Sequence, residues 1–368
     1  MPKGASYLLI TVLIGCAIFV GAISMPWERF SPSAYGPDIN PPYRKNDYSI
    51  ERAEYGDGRL WLLSETGKLW SVAEEAAEPI RAELASPVHS LCVREQGPAI
   101  VIDRRGQPDT WAVQELKGDR WVLVGTVPKS GEGLVSLTCD RAGLSVLTSQ
   151  RLISFNGGRT TITPLTLRVP ALPRSVVLTT PGRIFVGLNV GEWGGGLMSI
   201  DRHSGEVIDV AKNTSGELCA GPLNPDCDPV KGLSRIPWRP DCVAAAIGLM
   251  HMSAHGRLVE VCGREVKRLY FGPCPTGEEP YVRGDGEPFC TEALHGVSQN
   301  GNALVAVGTN GLSIVGEKGL IRREPLPASK AYGPFEISFG ADIIFIWKDA
   351  SRRDPMIDQA FLVPRQRP

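Results

Sequence analysis

The sequence predicts an all-β fold made of about seven copies of one small antiparallel unit, set behind a single N-terminal hydrophobic helix. Three observations predict it. Gly (41) and Pro (30) make up about a fifth of the 368 residues, against roughly 12% in average usage, which favours many turns over long helices. Apolar runs of five or six residues rich in Val, Ile and Leu recur along the chain. They are short for core helices and too continuous for strands with one wet face. A glycine-containing turn also follows the first run of each unit at a nearly constant spacing.

At the N-terminus, residues 7–25 (YLLITVLIGCAIFVGAISM) form an uncharged apolar run, long enough to cross a bilayer as a helix. Lys3 precedes the run, and Glu28 and Arg29 cancel after it. The positive-inside rule therefore keeps the N-terminus in the cytoplasm and exports the rest, which suits a bacterial cell-membrane protein with its main domain on the periplasmic or extracellular side. Three fates stay open for the segment: an uncleaved anchor, cleavage after Ser24 to give a secreted domain, or lipidation at Cys16 within a lipobox-like LIGC. Residues 26–47, rich in Pro and aromatics without a period, read as a tether. The main domain spans 48–368.

Export agrees with cysteine usage. Apart from Cys16 there are eight cysteines, an even number with no CxxC spacing, as expected for disulfides in an oxidising compartment. Short loops favour sequence neighbours: Cys219 with Cys227, Cys242 with Cys262, and Cys274 with Cys290, leaving Cys92 with Cys139.

Within the main domain a strand, a glycine turn, a second strand, another turn and a third strand keep returning. Turn glycines Gly58, Gly97, Gly143 and Gly182 are 39, 46 and 39 residues apart, and Gly301 to Gly340 is again 39. Between Gly182 and Gly301 lie two further units with insertions at 211–241 and 271–291, which hold four cysteines and many prolines. The domain divides into seven units of about 46 residues, near the 40–45 of a four-stranded blade. On these residues it resembles the β-propeller superfold, with seven blades expected and six or eight allowed. The last unit, 334–366, offers only three strands, so residues just before Tyr48 are expected to add the missing outer one.

One unit is more specific. GGGLMSIDRHSGEV (194–207) resembles the repeat of quinoprotein-type propellers, with Asp201 placed to cap a hairpin turn and Gly205 to take a positive φ. The tryptophan that the repeat carries a few residues later is missing here, so the resemblance implies fold and no quinone cofactor.

Chemistry is sparse. The net charge of −1 excludes a sequence-general nucleic-acid binder. No GxSxG, HExxH or Walker sequence occurs, and no cofactor motif is found. His251 and His255 make an HxxxH pair, but their flanks are strand-like, so 253–256 is expected to be a hairpin turn rather than half of a metal site. The expected function is a binding or assembly module. Its working surface is the face with the two cysteine-bounded insertions, where Trp193 and Trp238 would anchor a protein or glycan partner. The alternative is a propeller hydrolase of the lactonase or esterase kind, with a metal ion in the central channel. There Glu54, Asp140, Asn189 and Asn300 would be hard oxygen ligands.

Overall fold

The computed structural model describes residues 50–364, less 74–78, 95, 211–220, 252, 276–281, 283–287, 289, 327–334, 341–342 and 349–360. Cys16, the apolar run 7–25, the tether, Cys219 and the outer strand expected before Tyr48 lie outside the described residues. Among the described residues no helix is long and apolar enough to cross a membrane.

The strands form seven antiparallel sheets in chain order. The first holds β1 (Ile50–Gly56), β2 (Arg59–Ser64), β3 (Leu69–Ala73) and β4 (Ile80–Arg81). The second holds β5 (Val88–Arg94), β6 (Gly97–Arg104), β7 (Gln107–Lys117) and β8 (Arg120–Pro128). The third holds β9 (Leu134–Asp140), β10 (Gly143–Thr148), β11 (Arg151–Asn156) and β12 (Arg159–Pro164). In the fourth are β13 (Val176–Thr179), β14 (Arg183–Asn189), β15 (Gly195–Asp201) and β16 (Val207–Asp209). In the fifth are β17 (Val230–Ile236), β18 (Arg239–His251), β19 (Ser253–Cys262) and β20 (Glu265–Tyr270). The sixth comprises β21 (Leu294–Asn300), β22 (Ala303–Gly308), β23 (Gly311–Gly316) and β24 (Gly319–Glu324). The last sheet has three strands, β25 (Phe335–Phe339), β26 (Ile343–Lys348) and β27 (Phe361–Pro364). The seven complete blades expected from the repeat are thus corrected to six four-stranded blades and one three-stranded sheet among the described residues.

The first strands of neighbouring sheets pack side by side, and β25 touches both β21 and β1, so the inner strands enclose a central channel. The fold is a β-propeller. Its core lies between blades, which explains why the middle strands are apolar on both faces. Side chains alternate across a strand. In β14, Ile184, Val186 and Leu188 therefore pack toward the third blade with Leu147 and Leu152. Phe185 packs the other way, toward Val243 and Val259 of the fifth. In β6, Ile100 and Ile102 join Trp61 and Leu63 of the first blade, while Ala99 and Val101 join Leu137 and Val146 of the third. Phe345 of β26 packs with Ala53 and Leu60 of the first blade, so the last sheet and the first share a core as the others do.

Two boundaries differ from expectation. The insertion assigned to 211–241 contains β17 and the start of β18, so the true connection is 210–229. In β17, VKGLSRI, buried Val230, Gly232, Ser234 and Ile236 alternate with channel-side Lys231 and Arg235, which breaks the apolar run that marks other strands. The hairpin expected at 253–256 does not form there: those residues belong to β19 and pair with β18, with Leu249 opposite His255.

Three disulfides join described residues. Cys92–Cys139 links inner strands β5 and β9 of adjacent blades. Cys242–Cys262 crosses β18 and β19, and Cys274–Cys290 closes the connection before β21. Cys227 is also disulfide-bonded.

Candidate binding face and channel

In a meander of antiparallel strands, successive turns alternate between the two faces of the ring. The turns after first and third strands share one face; those after second and fourth strands share the other. The three long connections described, 165–175, 210–229 and 271–293, all follow fourth strands. Trp193 lies in the turn between β14 and β15 and so joins them on that loop face.

Trp193 is 60% exposed at the end of a single 3-10 turn, Gly191–Trp193. Asn189 Oδ1 accepts from the Gly191 amide at 3.2 Å, just before this turn. Trp238 is half-buried against Ile236, Cys242 and Tyr270, on the opposite face in the β17–β18 turn. Trp193 and Trp238 therefore do not form one surface, and Trp238 is a packing residue.

The connection 221–229 is clamped at a buried carboxylate. Asp228 is fully buried; its Oδ1 lies 2.8 Å from His255 Nε2, and its Oδ2 accepts from the Arg257 guanidinium. Arg257 also donates to the carbonyls of Pro222 (2.7 Å) and Gly221 (2.8 Å). The second half of the HxxxH pair thus meets an aspartate through Nε2. Gly195 and Gly196 donate to the carbonyls of Pro225 and Asp228. A Cβ at Gly194 or Gly195 would strike the Pro225 or Asp228 carbonyl, so the triple glycine lets this loop lie against β15. The 271–293 connection is held by Glu292, 1% exposed, which accepts from the Asn310 amide at 2.9 Å. Burial pushes its carboxyl above the ordinary value, against the pull of that bond, Arg323 and Tyr270.

The channel encloses about 470 Å³ and is polar: Arg52, Arg174, Lys231 and Arg235 share its lining with Glu51, Glu54, Asp140 and Glu336. Burial raises the Glu54 carboxyl above its ordinary value, against the pull of Arg52. A side pocket of about 380 Å³ shares Glu51, Arg52 and Pro173 with the channel. There Asp103 holds His89 (3.0 Å) and Lys129 (2.8 Å), and Lys129 sits over the Trp111 ring. These partners hold the Asp103 carboxyl below its ordinary value although desolvation opposes them.

Of the four oxygen ligands named for a channel metal, Glu54 and Asp140 line the channel. Asp140 is spent on Arg202 Nη1 (2.6 Å) and the Ala142 amide (2.8 Å). Asn189 ends β14 at the loop face and accepts from the Gly191 amide, and Asn300 ends β21 at the opposite face. Among the described residues the one cluster of three ligand-type side chains is Cys242, Glu260 and Cys262, two of which form a disulfide. The turn after Asp201 forms as the repeat implies: Asp201 Oδ1 accepts from the amides of His203 and Ser204, and Gly205 has φ of 76°. The Ser204 amide and hydroxyl, followed by the His203 amide, lower the Asp201 carboxyl. Sequence reasoning missed Asp228 and the cationic channel positions. The available signal was charge placed inside a first strand, as in Lys231 and Arg235.

No protein-family model and no curated protein matches the sequence. Among solved structures, YCF48 bound to D1 peptide aligns at a TM-score of 0.53 and 11% identity, over 81% of this chain and 88% of that one. Sqt1 of Saccharomyces cerevisiae aligns at 0.50 and 11%, over 81% and 80%. The extracellular domain of BT4673 from B. thetaiotaomicron aligns at 0.51 and 14%, over 85% of this chain; this chain spans only 38% of that one. Identities this low carry the fold and nothing finer: the chain is similar to β-propeller proteins and is itself a β-propeller.

Proposed function

We propose that this chain is an exported, membrane-tethered propeller of seven blades that recognises a protein or glycan partner with its loop face and catalyses no reaction. The observation that carries this reading is the gathering of the three long connections and exposed Trp193 on one face, beside a polar channel mouth. Rigid β scaffolds place function in such loops, and here the loops are fixed by Asp228, Glu292 and the Cys274–Cys290 disulfide. Disulfides favour an oxidising compartment, and the apolar run 7–25 supplies a tether. The contact of β25 with both β1 and β21 supports counting the three-stranded sheet as the seventh blade. Two structural neighbours support a recognition role by their own descriptions, one an extracellular domain and one bound to a peptide.

The test is site-specific photocrosslinking in intact cells. A benzophenone side chain replaces Leu167 or Trp193 on the loop face, or exposed Arg264 in the β19–β20 turn on the opposite face. Discrete adducts from positions 167 and 193 but not 264 are expected. Adducts from position 264 alone, or from none of the three, would refute the assignment.

A further inference from the structure

Strand β8 is an outer edge with three consecutive exposed aliphatic residues, Val122 (41%), Leu123 (51%) and Val124 (37%). The β7–β8 register slips between Val113 and Gln114, which leaves Val124 as the extra residue of a bulge. Proteins usually blunt such edges with charge, Pro or a covering element. Here the aliphatic row instead forms one wall of a groove of about 410 Å³ between the second and third blades. The other wall is the β9–β10 turn, the β11–β12 turn and Phe155. Its charges are lopsided. Arg94 and Lys117 share the single carboxylate Glu115, Lys117 at 3.3 Å, while exposed Arg141 and Arg159 have no acidic partner among the described residues.

We propose that this groove is a docking site for an extended peptide segment that alternates aliphatic and acidic residues. The aliphatic side chains cover Val122, Leu123 and Val124, carboxylates meet Arg141 and Arg159, and the peptide backbone lies along the β8 edge, as in strand addition. The net positive wall selects the occupant: four cations against one carboxylate repel a basic segment and attract an acidic one. All the turns that line the groove follow first or third strands, so the site is on the face opposite the long loops and does not depend on the function proposed above.

The experiment titrates the full chain in detergent against a fluorescein-labelled peptide of four Asp-Val repeats by anisotropy, with Lys-Val and Asp-Ser peptides of equal length beside it. Asp-Val is expected to bind at least about tenfold more tightly than either, with affinity falling as salt rises. The exposed pair Arg141→Glu and Arg159→Glu, and separately Leu123→Asp, are each expected to weaken it about tenfold while thermal melting is unchanged. Equal binding of Asp-Ser would reduce the groove to a charge patch and overturn the proposal. So would full affinity in the Arg141→Glu, Arg159→Glu variant, or absence of Asp-Val binding. Concentration-dependent dimerisation abolished by Leu123→Asp would assign the edge to a second copy of the chain and overturn it as well.

Discussion

Replacing Asp228 by Ala removes the one charged partner of Arg257 that the 221–229 loop supplies. The guanidinium is 6% exposed, and breaking a buried pair from one side costs roughly 3–5 kcal/mol because the remaining charge stays desolvated. Arg257 keeps the Pro222 and Gly221 carbonyls as acceptors, which favours the low end, about 3 kcal/mol. The Asn224 amide also loses its acceptor, Asp228 Oδ2 at 2.5 Å, for about 1 kcal/mol more. The sum, near 4 kcal/mol, is a large share of a typical stability of about 5–15 kcal/mol. Arg257→Ala should cost a similar amount, since it leaves the buried carboxylate instead. If the two residues act as a pair, the double variant costs much less than the sum, with a coupling of at least about 2 kcal/mol. Urea unfolding followed by tryptophan fluorescence measures all four corners of the cycle. Hydrogen exchange localises the loss: the Gly195 and Gly196 amides, bonded to the Pro225 and Asp228 carbonyls, should lose protection before the sheet does. Additive single effects, or an Asp228→Ala variant within 0.5 kcal/mol of the parent, would show that the loop is held by something other than this carboxylate.

Two other outcomes follow from particular residues. Replacing both Cys92 and Cys139 by Ser frees a loop closed over a sequence separation of 47; the chain-entropy relation gives a loss of about 4 kcal/mol, read as a lower urea midpoint, and a loss below 1 kcal/mol would contradict it. His295 is 2% exposed, and burial, helped by Lys231, pushes its pKa down to about 3. The unfolded chain then binds the extra proton first as pH falls below 6.5, so this group's contribution is whole above that pH. It drains toward pH 3, by up to about 5 kcal/mol. His295→Gln should flatten that part of the stability curve; an unchanged slope would sink the assignment. Glu54 and Glu292, raised by burial, act with the opposite sign, and their contribution is lost as pH rises through their raised values.

The fold was legible where burial on both faces left a strong signal. RLWLLS, GLSVLT and ALVAVG are second strands packed between two neighbouring blades, and each reads as an apolar run. Outer strands carry no such run, because one edge and much of one face are wet: β12, RTTITP, is exposed at five of its six positions. β17 was hidden for a different reason, since its channel side is cationic. The channel lining and the groove are assembled from strands far apart in sequence, so no local pattern announces them. Asp228 was equally silent, because its meaning comes from His255 and Arg257, 27 and 29 residues away.

The parity of the turns gives the molecule two independent faces. Every connection from a fourth strand to the next blade must return from the outer rim to the channel, and it does so on the same side of the ring. Growth of those connections therefore enlarges one face only, and 165–175, 210–229 and 271–293 have grown there. On the opposite side most hairpins of the six four-stranded sheets stay short, among them 57–58, 118–119, 141–142, 157–158 and 263–264, held by positive-φ glycines such as Gly58, Gly118 and Gly263. Short hairpins leave the outer strand edges bare, which is why the aliphatic row of β8 is accessible on that side and why a ligand there meets strands rather than loops. The disulfide between Cys92 and Cys139 ties the two blades that form the groove at their inner strands. The groove is therefore a fixed gap between stapled blades, while the loop face is built from segments that are individually clamped. A partner that reads long, clamped loops and a peptide that needs a rigid slot can each find their surface without competing for it.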